Sequence, residues 1–76
     1  MITLNNIVRD GILEICFLIK DHEDFIYTIS DANGLAILQG RLVGNTQRTC
    51  LYLGDIKKGN YTFTMTDDFS QEFSVK

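Results

Sequence analysis

Leu51-Tyr-Leu-Gly-Asp-Ile-Lys-Lys-Gly-Asn-Tyr61 is the stretch on which the reading of this chain turns. Two alternating patterns meet in it. Leu51 and Leu53 end one, Tyr61 and Phe63 begin the next, and a short bend carrying Gly54, Ile56 and Gly59 lies between them. Alternation at every second residue puts one set of side chains on one face of a strand. Two such strands across a glycine-bearing bend, with Ile56 to plug it, read as a corner where a β-sandwich passes its chain on.

Downstream, residues 60–66 form a strand with Tyr61, Phe63 and Met65 inward. Asp67-Asp68 make a tight turn, and residues 69–76 return with Phe73 and Val75 inward. Upstream, residues 48–53 form the strand that enters the corner, after a loop over 44–47. Before it, Asn33-Gly34 sits between two alternating runs, 25–31 and 35–43. That is a hairpin signal, because both residues tolerate positive φ. Phe25, Tyr27 and Ile29 face inward, and Gly40 suggests a bulge or kink in the returning strand. Residues 12–20 are a strand with Leu13, Ile15, Phe17 and Ile19 on one face and Glu14 and Cys16 on the other. The first ten residues, with Asn5 and Asn6 among apolar neighbours, read as a short or broken edge strand.

About seven antiparallel strands at regular spacing, with no helical periodicity, make this an all-β chain. An immunoglobulin-like or fibronectin III-like sandwich is the expected form. At 76 residues it is a single domain, 1–76, with a thin core. The net charge of −3 opposes nucleic-acid binding, which needs a basic stripe, and docking on anionic lipid. The longest apolar run, Ile15 to Ile19, is far short of the ~20 residues that span a bilayer, so no membrane insertion is expected. Asn5, Asn6, Arg9 and Asp10 interrupt the N-terminal segment, so it does not read as a signal peptide.

No constellation of catalytic strength is found. Asp21, His22, Glu23 and Asp24, then Asp31 and Asn33, then Asp67 and Asp68 gather acids that could suit calcium. Turn chemistry accounts for them as well, and no metal site or cofactor is expected. His22 is the sole histidine, which leaves no histidine pair for a relay. Cys16 and Cys50 lie on the outer faces of strands that pair in an immunoglobulin-like order. They are either bridged or free. Asn60-Tyr61-Thr62 fits the glycosylation triplet but starts a core strand, and Lys57-Lys58 reads as an exposed bend.

Tyr27-Thr-Ile-Ser-Asp-Ala-Asn-Gly34, Leu53-Gly-Asp-Ile56, Gly59-Asn-Tyr61 and Phe73-Ser-Val-Lys76 form a set spanning most of the chain. The set resembles small exported β-sandwich proteins of unknown function from gut Bacteroides. It is also similar to the C-terminal sorting domain of type IX secretion cargo. Leu35 departs from the sorting pattern, where a basic residue often follows the hairpin glycine. The resemblance implies residence in the periplasm or at the cell surface, and it carries over no active site.

The expected function is therefore non-enzymatic: a module acting through protein–protein contacts. Self-association through edge strands is included, with Ile2-Thr-Leu4 the expected edge and a weak homodimer one consequence. The alternatives are a sorting or anchoring domain and a calcium- or carbohydrate-binding module. Only Tyr52 and Phe69 remain outside the expected core as aromatics for a sugar platform.

Overall fold

A computed structural model describes residues 2–17, 24–43, 48–65 and 69–76. The described chain is all strand and turn, in two sheets. The strands are β1 (Ile2–Leu4), β2 (Ile7–Val8), β3 (Ile12–Phe17), β4 (Asp24–Ser30), β5 (Ala36–Val43), β6 (Arg48–Tyr52), β7 (Gly59–Met65) and β8 (Ser70–Val75). One sheet has the order β1-β3-β6 and the other β2-β8-β7-β4-β5.

The core lies between the sheets. Leu4, Leu13 and Ile15 come from the smaller sheet. Val8, Phe25, Ile29, Leu42, Tyr61, Phe63, Met65, Phe73 and Val75 face them from the larger one. These are the alternate residues of their strands, so each hydrophobic run fixes its own register. Phe63, wholly buried, stacks on Tyr27 with ring centroids 5.8 Å apart, and Tyr61 stacks on Phe73 at the same distance. For Phe17 and Ile19, the inward placement expected from sequence falls outside the described side chains.

Two expectations need correction. Among the described residues the strands number eight rather than about seven, because the N-terminal segment breaks at Asn5. The Asn5 side chain accepts a hydrogen bond from the Glu14 N–H at 2.7 Å and donates one to the Ile7 carbonyl at 3.1 Å. It thus satisfies backbone groups that the sheet no longer pairs while the chain crosses from one sheet to the other. Nor are all pairs antiparallel, since β2 runs parallel to the final strand, β8.

The corner passes the chain between the sheets, from β6 in one to β7 in the other. Gly54 sits at φ 66°, where a Cβ is strained. Leu53 donates its N–H to the Gly11 carbonyl at 2.7 Å, Ile56 packs on the core, and the Tyr61 hydroxyl donates to the Lys57 carbonyl. Gln71 points inward at the rim and donates to the Leu4 carbonyl at 3.2 Å, joining the two sheets. Among the described residues no buried side-chain polar atom lacks a partner.

Candidate interaction edge

The hairpin between β4 and β5 fixes the edge of the larger sheet. Its turn is a three-residue loop rather than a two-residue one. The Gly34 N–H donates to the Asp31 carbonyl at 3.0 Å, Gly34 takes φ 82°, and the Asp31 N–H closes the loop on the Leu35 carbonyl. One carboxylate oxygen of Asp31 accepts from the N–H groups of both Asn33 and Leu35 at 2.9 Å. Turn-forming work thus occupies Asp31, one of the acids that could suit calcium.

β5 then runs along β4 to the sheet's end. Gly40 is not a bulge: it pairs in regular register with Tyr27. The irregularity lies nearer the turn, where Ile29 pairs with Leu38 but Ser30 with Ala36, leaving Ile37 as the extra residue. The reason for glycine is instead the ring of Tyr27, since a Cβ at position 40 would come within 2.7 Å of the Tyr27 hydroxyl. An aromatic lying over a cross-strand glycine covers backbone that would otherwise be bare.

A three-stranded sheet is about two strand spacings, or ~10 Å, narrower than a five-stranded one. That leaves β5 overhanging. Leu35 is 66% exposed, and Ile37 and Leu38 are more exposed than ordinary half-buried strand residues. From Ala32 to Val43 the only charged side chain is Arg41, and there is neither lysine nor proline to discourage pairing. The other sheet ends are shorter: two residues in β2, three in β1 and five in β6.

On the outer face of the smaller sheet, Glu14 stands opposite Cys50 and Cys16 opposite Arg48. Both thiols are free and exposed. They lie on a diagonal of the ladder, where Cα atoms are ~7–8 Å apart, at or beyond the reach of a bridge. The Arg48 guanidinium donates to the Glu14 carboxylate at 2.9 Å across the other diagonal.

Shallow grooves among the described residues border the sandwich. One, of about 480 Å³, is lined by Ser30, Asp31, Asn60, Tyr61, Thr62 and Glu72 among others. The second, of about 400 Å³, lies at the corner beside Arg9, Asp10, Asp55, Lys58 and Lys76. No three acids, histidines or cysteines among the described residues are grouped to hold a metal ion. His22 and the acids at 21, 23, 67 and 68 lie outside the described residues. Tyr52, 79% exposed on β6, belongs to the opposite sheet from the first groove, so it forms no platform there. The chain matches no protein family model, no curated protein and no solved structure.

Proposed function

We propose that this chain is a non-enzymatic β-sandwich module that works by contact with another protein chain along an open strand edge. The observation that carries the reading is β5, eight residues long, with Leu35, Ile37 and Leu38 exposed and no lysine or proline to blunt it. Unpaired backbone N–H and C=O groups on such an edge accept an incoming strand, and the flanking apolar side chains add affinity.

The finer architecture we assign is immunoglobulin-like, close to the fibronectin III form. Taking β1, β3 and β6 as strands A, B and E, and β8, β7, β4 and β5 as G, F, C and C′, gives its strand neighbours. The Tyr61 hydroxyl, bonded back to the Lys57 carbonyl at the start of β7, has the form of a tyrosine corner. Residence in the periplasm or at the cell surface is supported by the resemblance to exported Bacteroidetes sandwiches. Two exposed free thiols pull the other way, because oxidising compartments convert such thiols to disulfides.

A photo-crosslinking side chain at position 37, in cells that produce the protein, tests the reading. Protein adducts are expected from position 37, with few from the more exposed position 52 on β6. Absence of any protein adduct from position 37 would sink the proposal.

A further inference from the structure

We propose that Asn33 is a site of spontaneous covalent modification, losing its side-chain amide as ammonia to attack by the Gly34 nitrogen, and that Asp31 slows this by holding the turn closed. The inference concerns the hairpin turn itself and does not depend on the contact reading above.

The chain has five asparagines, at positions 5, 6, 33, 45 and 60, and Asn33 alone is followed by glycine. A side chain on the following residue screens the backbone nitrogen beside it. Glycine has none and adopts conformations closed to other residues. Asn33 and Gly34 are both exposed, and a Cβ at Gly34 would meet nothing within 4 Å. Elsewhere the asparagine side chains are held. Asn5 bonds to the backbone of Glu14 and Ile7, and Asn60 accepts from the Ser74 hydroxyl. Asn33 is held by its backbone N–H, and its side-chain amide has no partner among the described residues.

The step needs only water. The Gly34 nitrogen gives its proton to solvent and bonds to the side-chain carbonyl carbon of Asn33. The carbon–nitrogen bond of the amide breaks, ammonia leaves with a proton taken from water, and a cyclic imide joins the two residues. Water then opens the ring. Opening at the side-chain carbonyl gives aspartate, and opening at the main-chain carbonyl gives isoaspartate, which lengthens the main chain by a carbon.

In the closed turn that nitrogen is engaged. The Gly34 N–H donates to the Asp31 carbonyl at 3.0 Å. The N–H groups of Asn33 and Leu35, on either side of it, both donate to one carboxylate oxygen of Asp31 at 2.9 Å. The Gly34 nitrogen is released when these bonds open, so the reaction runs through the open turn. Asp31 is thus a positioning residue that works against the reaction.

Incubation of the full chain at mildly alkaline pH, in buffer and in denaturant, tests it. Peptide mass mapping and isoaspartate-specific methylation read the product. Conversion is expected at Asn33, with the other asparagines intact, and more slowly in the folded chain than in the denatured one. Asp31→Ala is expected to speed the folded chain's conversion roughly 2- to 10-fold, the range for one net hydrogen bond. If that variant unfolds, Asp31→Ser, a weaker turn former, serves instead. Asp31→Asn keeps the acceptor oxygen and is expected to change the rate less. No conversion at Asn33 in the folded chain, while the denatured chain converts, overturns the proposal. Conversion spread evenly over the asparagines, or a rate indifferent to the changes at Asp31, overturns it as well.

Discussion

Tyr27 lies across Gly40, its cross-strand partner, so closely that a single methyl group at position 40 would meet the ring within 2.9 Å at three atoms. The ring has little freedom to retreat, because its other contact is the stack on the fully buried Phe63. The edge strand β5 is thus held to the sandwich by an aromatic side chain where the smaller sheet is too narrow to cover it.

Gly40→Ala should destabilise the fold by about 1–3 kcal/mol, the usual cost of overpacking. Combined with Tyr27→Leu, the same change should cost far less and could gain a few tenths, since alanine lowers the entropy of the unfolded chain. Denaturant titration of the four proteins in the double-mutant cycle reads the coupling. Additive effects would mean the ring does not impose glycine.

Tyr61→Phe removes the hydroxyl that donates to the Lys57 carbonyl and leaves the stack on Phe73 in place. A loss of about 0.5–1.5 kcal/mol is expected. In a domain of this size that lowers the melting temperature by roughly 2–12 °C, at ~4–8 °C per kcal/mol. An unchanged melting curve would show that the corner is held by packing alone.

Both thiols should react with a thiol reagent in the folded protein, since Cys16 and Cys50 are exposed. Mild oxidation should give disulfides between molecules, reversed by reductant, and no internal bridge. Mass spectrometry of the oxidised monomer after proteolysis tests this; a 16–50 linkage in protein that remains folded would contradict the register. Arg48→Ala, which removes an ion pair whose side chains are 68% and 47% exposed, should cost no more than about 1 kcal/mol.

Period-two alternation was enough to read Leu13 and Ile15, Phe25 and Ile29, Tyr61, Phe63 and Met65, and Phe73 and Val75 as inward-facing, and the corner as the joint between sheets. It could not tell an edge strand from a central one. That depends on strand order, and strand order depends on contacts between residues far apart in the chain. The edge expected at Ile2-Thr-Leu4 is real but ends after three residues, because Asn5 draws the chain across to the other sheet. Gly40 looked like a bulge because glycine in a strand signals either a kink or a close approach, and only the position of the Tyr27 ring decides between them. Gln71 was illegible for a similar reason: its inward side chain is satisfied by Leu4, at the opposite end of the sequence.

Amide hydrogen exchange of the purified chain, alone and in lysate of the cells that produce it, tests the central claim most directly, because an added strand protects amides only on the edge it joins. Slower exchange in the lysate is expected within Ala36–Val43, with β1 and β6 unchanged. Exchange in β5 that is the same in both, or protection that gathers at β1 or β6 instead, would contradict the account.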